Sequence, residues 1–463
     1  MDTHIRLNRK QYIILASLLF GMFFGAGNLI FPIHLGQMAG TAWLPAAFGF
    51  LITAICLPLL SILAISSTES NSMYDLALPA GRIFALAFLI LVHASLGLLI
   101  AAPRTATVTF QMGIQPFIPQ SWMHPALLIF SLLFFGATLG LTYHQHKITR
   151  NIGKILNPMF VLLLAFLFMI AFIIKGDMRS MALFPAAGKG ASNLITGFLQ
   201  GYNTMDALAG LGFGVTIVTA LKLFGQKDRL SRSKSVAKIG GLTMGFEALI
   251  YIFLIALGAA SLNFTKMSAD GGTAFTQIMT HYTGMAGAAI LAALTLLACL
   301  TTAMGLATSL SQDWGRRFPK IGYHKFLIFS TTIAFLFANF GLDQIILYSS
   351  PILSFLYPLA ISLIILGISA PLIGKDKIIY RTTITLTMIP AILDFIHTLP
   401  PIFAKLPMFS AINTWATGTI PFYEYRNGFL LIHDYRINRW VHHFKNYSGK
   451  DAKYSTTIIN FPY

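Results

Sequence analysis

The groups in this chain best suited to chemistry belong first to the backbone. Residues 23–32 read FFGAGNLIFP, and Gly25-Ala26-Gly27-Asn28 interrupts an otherwise apolar run. Residues 12–24 and 29–35 both read as helix, whereas two glycines and an asparagine are weak helix formers. A helix broken here exposes carbonyls at the end of its first half. At the start of its second half it exposes N–H groups and a positive dipole end. The N–H groups suit an anion such as a carboxylate, and the carbonyls suit a cation. A second segment of the same kind is FLQGYNTMDALAGLGFG, residues 198–214, with Gly201, Asn203, Thr204 and Asp206. Its later glycines, Gly210, Gly212 and Gly214, fit close helix packing better than a break.

The elements that must hold these segments are membrane helices. The 463 residues are 56% hydrophobic and 10% charged, against about 25% charge in soluble domains. The mean hydropathy is +0.72. The apolar segments run about twenty residues, helix length, and not the roughly ten of a barrel strand. The net charge of +17 suggests nucleic acid until its placement is considered. The Lys and Arg residues sit in short loops between apolar segments, so the charge sets membrane orientation and no nucleic-acid partner is expected. Cys56 and Cys299 both fall in apolar runs and imply neither a disulfide framework nor a metal site.

Hydropathy predicts eleven spans, near 12–35, 43–66, 83–103, 125–142, 152–174, 193–221, 239–262, 284–310, 325–341, 345–373 and 382–402. With the N-terminus on the cytoplasmic side, twenty Lys and Arg fall inside and six outside. The inside set includes Lys147, Arg150, Lys154 and Lys227; the outside set includes Arg104, Lys175, Arg179 and Lys189. Residues 1–425 read as one membrane domain. Residues 426–463 form an atypical polar tail, whose one apolar cluster, residues 429–432, is too short to span. The tail is expected to be an altered C-terminus in place of a twelfth helix.

Four strings resemble one family. FFGAGNLIFPIHLGQMAG (residues 23–40) resembles the opening signature of the bacterial branched-chain amino acid carriers, the BrnQ family of cation-coupled leucine, isoleucine and valine uptake systems. APRTATVTFQMG (102–113), GFLQGYNTMDALAGLGFG (197–214) and LACLTTAMGL (297–306) resemble the family's third, sixth and eighth helices. The likeness spans residues 7 to 425 and stops before the tail. The family is similar to the wider amino acid–polyamine–cation superfamily. The resemblance therefore implies an all-α, leucine-transporter-like bundle. Two five-helix inverted repeats, about 12–174 and 193–373, would carry the broken helices 1 and 6, with helix 11 outside them. It also implies the cytoplasmic membrane of a bacterium, a small-molecule substrate, no organic cofactor and no obligate protein partner.

Site residues carry over one by one. The substrate set is Gly25, Ala26, Gly27 and Asn28, with Tyr202, Thr204 and Asp206. The sodium set is the carbonyls of Gly21, Phe24 and Ala298 and the hydroxyls of Thr301 and Thr302. Sodium takes oxygen ligands, and these groups supply five without formal charge. Adjacent helical residues diverge by about 100°, so both threonines reach one ion only at their shared edge. Alternatively, each hydroxyl simply bonds back to the preceding turn.

The ionisable residues at membrane depth are functional candidates. Asp206 can receive an ammonium group or cap the second half-helix. Glu247 is either protonated and hydrogen-bonded or engaged in proton coupling. Asp394 lies outside the ten-helix core, His93 is packed, and Arg104 closes span three and either snorkels to the outer interface or serves as a gate. A proton-coupled carrier, a carrier of another substrate, and a channel or non-transporting sensor remain rival readings. No filter or charged ring favours a channel. No paired carboxylates or nucleophile motif favours an enzyme. The apolar substrates imply an apolar pocket, whose walls the sequence does not identify.

Overall fold

The computed structural model describes residues 7–144, 157–174, 190–226 and 228–419, and among these the regular structure is entirely helical. The helices are α1 (Arg9–Phe23), α2 (Ala26–Ala39), α3 (Trp43–Leu51), α4 (Leu57–Ser67), α5 (Met73–Ala77), α6 (Arg82–Ala94), α7 (Ala101–Gly113) and α8 (Met123–Thr142). Then come α9 (Asn157–Phe168), α10 (Gly190–Tyr202), α11 (Asp206–Leu223), α12 (Arg229–Ser261) and α13 (Gly271–Thr283). The chain closes with α14 (Met285–Arg317), α15 (Gly322–Ala338), α16 (Leu342–Ile373), α17 (Lys377–His397), α18 (Pro401–Ala404) and α19 (Pro407–Thr419).

Eight helical segments among the described residues are long and apolar enough to cross a membrane, and Pro158–Ala171 and Gly322–Ala338 are shorter apolar helices. The described part of each segment expected from hydropathy is largely helical, with interruptions inside spans one and six, and the ends differ. Span three does not close at residue 103. It widens into a π-helical turn at Ser95–Leu99, then continues as α7 to Gly113. Hydropathy falls there because α7 carries Arg104 and several threonines, all of them buried. Span seven begins ten residues early, at Arg229, where Asp228 caps it through Ser231 N–H at 2.7 Å. Helix α13 was not expected. Asp270 caps it, accepting from the N–H groups of Gly272 and Thr273 at 2.8 and 3.0 Å. Helix α19 also lies past the last expected span. The tail at 426–463 and the charged residues Lys147, Arg150, Lys154, Lys175, Arg179, Lys189 and Lys227 lie outside the described residues.

Helices α1 and α2 run through the middle of the bundle. Every residue from Leu18 to Ile33 is buried. Helix α12 packs along α1, α2 and α4, α10 packs on α3, α11 on α4, and α14 on α7. Two of these seams are backbone against backbone. A Cβ at Gly36 would fall on the Ile255 carbonyl, and one at Gly258 on the Ile33 carbonyl, which locks α2 to α12. Gly49 against Leu194 and Gly197 against Ala46 lock α3 to α10 in the same way. The later glycines of span six also pack closely, as expected: a Cβ at Gly210 would lie 2.9 Å from the Ser61 Cβ, and one at Gly214 would lie 3.2 Å from the Ile62 Cα.

Gly36→Leu should therefore destabilise the bundle by about 3 kcal/mol or more. Gly136→Leu, in α8 with nothing within 4 Å, should leave stability unchanged. Size-exclusion profiles and thermal midpoints of the purified variants check the contrast.

Candidate functional site

The first break is shorter than the tetrapeptide that signals it. Helix α1 stops at Phe23 and α2 restarts at Ala26, so only Phe24 and Gly25 are non-helical. Ala26, Gly27 and Asn28 already form the first turn of the second half. The reason is a cap from inside: Asn28, at the third position of α2, accepts the Gly25 N–H through Oδ1 at 3.1 Å. This is half of a capping box. It also diverts the Gly25 N–H from the Gly21 carbonyl, its partner in a continuous helix. The Phe24 N–H donates to the Phe20 carbonyl at 2.8 Å, closing the last regular turn. The N–H groups of Ala26, Gly27 and Asn28 are first-turn donors with no intrahelical acceptor.

The second break is Asn203-Thr204-Met205, between α10 and α11. Gly201 does not make the turn. Met205 does, in the left-handed region at φ 64°, a conformation that costs a non-glycine residue about 1 kcal/mol or more. Gly201 is helical and lies against Thr53 and the Phe50 carbonyl of the neighbouring helix. The Thr204 hydroxyl donates to the Gly201 carbonyl at 2.9 Å and accepts the Asp206 N–H at 3.4 Å.

One carboxylate joins the two breaks. Asp206 Oδ2 accepts from Asn28 Nδ2 at 2.7 Å and from the Tyr251 hydroxyl at 3.1 Å. Asn28 Nδ2 also contacts the Tyr251 hydroxyl. Asp206 was expected to take an ammonium group or to cap α11. The bonds seen here run to side chains on α2 and α12, so its carboxylate cross-links three helices. Asp206, Asn28 and Tyr251 are all almost fully buried.

A cavity opens beside this cross-link. Gly25, Ala26, Gly27, Asn28, Thr204 and Asp206 line it, with Arg104 and Thr302. Its apolar walls are Met22, Phe23, Leu96, Ala209, Phe213 and Leu306. These walls were not identified from sequence, because nothing in an apolar run distinguishes a cavity-facing side chain from a core one.

Two expected residues sit elsewhere. Tyr202 does not face this cavity. Its ring stacks on Tyr357 with centroids 4.1 Å apart, and it lines a second cavity with Asn203, Ser350, Ser354 and Asp394. It is the last residue of α10, two residues before the cavity-lining Thr204. Arg104 does not snorkel. It is 2% exposed, held in mid-helix by the extension of α7, and Nη2 donates to the Asn203 carbonyl at 2.7 Å.

The two threonines behave differently. The Thr301 hydroxyl donates back to the Ala298 carbonyl at 2.9 Å. The Thr302 hydroxyl is buried without a hydrogen-bond partner among the described residues, and a Cβ on Gly25 would lie 2.5 Å from it. Thr302 thus faces the first break directly. Of the five sodium candidates it alone lines the cavity; Gly21, Phe24, Ala298 and Thr301 are buried around it. His93 is packed as expected, 3.0 Å from Asp313. Glu247, one turn before Tyr251 on α12, is fully buried, and neither carboxyl oxygen has a hydrogen-bond partner.

Broken helices, buried ionisable groups at the breaks and a cavity between them define a membrane transporter. The comparisons agree. The family described as "Branched-chain amino acid transport protein" matches residues 8–432. The branched-chain amino acid permease BrnQ of Lactobacillus delbrueckii subsp. lactis is 37% identical over 398 residues, covering 85% of this chain and 89% of that protein. The permease BraB of Bacillus subtilis is 36% identical over 425 residues, covering 91% and 93%. The solved structure of Mhp1, a nucleobase-cation-symport-1 family transporter in a closed conformation with bromovinylhydantoin bound, is similar with a TM-score of 0.50 at 13% identity. The likeness covers 87% of this chain and 96% of that one. The chain belongs to the branched-chain amino acid transport protein family, the family of the BrnQ permeases.

Asn28→Ala removes the cap on Gly25 and one donor to Asp206, and should cost about 3 kcal/mol. Tyr251→Phe removes a donor but keeps the packed ring, and should cost about 1 kcal/mol. Thermal unfolding of both variants checks the order.

Proposed function

We propose that the chain is a secondary active symporter that imports leucine, isoleucine and valine across the bacterial cytoplasmic membrane with sodium. Alternating access would operate on two five-helix inverted repeats, with the N-terminus cytoplasmic. The observation that carries this reading is the first turn of α2. Ala26, Gly27 and Asn28, whose N–H groups have no intrahelical acceptor, line a cavity that also has apolar walls at Met22, Phe23, Leu96, Ala209, Phe213 and Leu306. A carboxylate fits the N–H groups, and a branched aliphatic side chain fits the walls. Burying such a side chain gains about 1.5–3 kcal/mol, enough to prefer it over polar ones. A single methylene is worth only about 1–3 kcal/mol, so one site is expected to accept all three substrates.

The residues present also fit sodium as co-substrate. Thr302 Oγ1 is a buried oxygen without a partner beside the break, and the Gly21 carbonyl has lost its helical donor. With the carbonyls of Phe24 and Ala298 and the Thr301 oxygen they form an uncharged donor set suited to a hard monovalent cation. Binding sodium there would favour the α1–α14 contact at the break, and with it the shape of the substrate site. Sodium and substrate would then raise each other's affinity by the same factor.

A second reading, proton coupling, is favoured by one observation. Glu247 has a fully buried carboxyl group without a hydrogen-bond partner, one turn from Tyr251 in the Asn28–Asp206 cross-link. Its neighbours in the cross-link are uncharged apart from Asp206, so a proton is the smallest counter-charge it can take.

Leucine uptake into vesicles with an imposed sodium gradient, against a proton gradient alone, decides between the two. Sodium-driven uptake is expected, and uptake that follows only the proton gradient transfers the coupling role to Glu247. Thr302→Ala should raise the sodium concentration for half-maximal leucine binding about tenfold, the equivalent of about 1.4 kcal/mol, with Thr302→Ser in between. Coincident sodium titrations for the three proteins would remove Thr302 from the ion site. Gly27→Val should abolish leucine binding. Its Cβ would lie 2.8 Å from Arg104 Nη2 and 3.2 Å from the Asn203 carbonyl, closing the approach to the α2 N–H groups.

A further inference from the structure

Arg104 is a buried cation without a direct ion pair among the described residues. It lines the main cavity. Asp206, the acidic residue lining the same cavity, is engaged with Asn28 and Tyr251. One nitrogen, Nη2, donates to the Asn203 carbonyl at 2.7 Å. The other two, Nε and Nη1, are buried without hydrogen-bond partners. The guanidinium carbon lies 5.1 Å from the centre of the Phe31 ring, an attraction too weak to replace a counter-charge. A charge removed from water without a direct ion pair costs several kcal/mol, a cost that an anion entering the cavity would offset.

The neighbouring groups indicate which anion. Gly27, at the start of α2, lies against the guanidinium: a Cβ there would be 2.8 Å from Nη2. Arg104 and the first turn of α2, Ala26, Gly27 and Asn28, therefore border one cavity from two helices. Planar guanidinium groups bind carboxylates through two parallel bonds. The half-helix dipole adds a partial positive charge of about half a unit on the same side. Asp206 and Thr204 line the same cavity, so it offers acceptors for an ammonium group as well as donors for a carboxylate, as a zwitterion requires.

We propose that Arg104 is a direct ligand of the substrate's α-carboxylate, sharing it with the first turn of α2. The assignment rests on the amino acid carrier reading above. It makes the carboxylate, more than the aliphatic side chain, the feature that admits a ligand to the site. It also gives Arg104 a second task, because the Nη2 bond to Asn203 ties the carboxylate site to the end of α10.

The test is competition binding to purified wild-type protein, Arg104→Gln and Arg104→Lys, with leucine and with leucinamide, which keeps the side chain and amine but lacks the carboxylate. Wild type should prefer leucine by about 100-fold, the value of two hydrogen bonds to a charged group. Arg104→Gln should lose most of its leucine affinity and bind the two ligands nearly equally. Arg104→Lys keeps the charge but not the fork, and should fall between. If Arg104 were only structural, both ligands would weaken together and the leucine-to-leucinamide ratio would stay at its wild-type value, which overturns the assignment. Where Arg104→Gln does not fold, the ratio in Arg104→Lys decides. Wild-type protein that binds no branched-chain amino acid overturns the carrier reading itself, and this assignment with it.

Discussion

A helix that breaks away from water leaves polar backbone groups that must find partners inside the protein. Most of the site follows from how this chain meets that demand. It breaks two helices side by side and makes a few side chains serve both. Asn28 accepts the stray N–H at the first break and donates its own amide to Asp206 at the second. Tyr251 brings α12 into the same cluster. Arg104 takes a carbonyl released at the end of α10. Two of these bonds satisfy backbone groups freed at the breaks and two join side chains across helices, and together they fix where the first turn of α2 lies.

The groups left unsatisfied are as informative as those that are paired. Native interiors leave few buried polar atoms without partners. Here Thr302 Oγ1, two nitrogens of Arg104 and both oxygens of Glu247 are of that kind, and Thr302 and Arg104 line the cavity at the first break. Thr301, one residue away, satisfies itself through Ala298. Two adjacent residues of one type thus differ because only one of them faces the break.

Much of this was legible in the sequence, and the reason is physical. Apolar runs of about twenty residues and a glycine-rich interruption have few interpretations in a membrane chain, so the helices, both breaks and the involvement of Asn28, Thr204 and Asp206 could be read directly. What escaped depends on distance across the fold. The left-handed turn falls on Met205 and not on a glycine, and Gly201 is taken up in packing against α3 and its continuation. Tyr202 shares the motif but faces Tyr357. Arg104 seemed to end a helix, since a charge usually marks the edge of an apolar run. It became interior only because the chain keeps coiling through the π-helical turn before it. The apolar cavity walls carried no signal at all.

The glycine seams place a limit on motion. Where a Cα of one helix rests on a carbonyl of another, as at Gly36 and Gly258 or Gly49 and Gly197, a slide of one residue would drive a side chain into backbone. The pairs α2–α12 and α3–α10 are therefore bound to travel as units. The ladder of helical bonds is interrupted beside these pairs at Phe24–Gly25 and at Asn203–Met205, where a rearrangement of the bundle would break no further helical bonds. Those five residues are the natural hinges of the molecule. A ligand lodged against them touches the joints themselves, so its presence is felt mechanically without any relay through the rest of the fold.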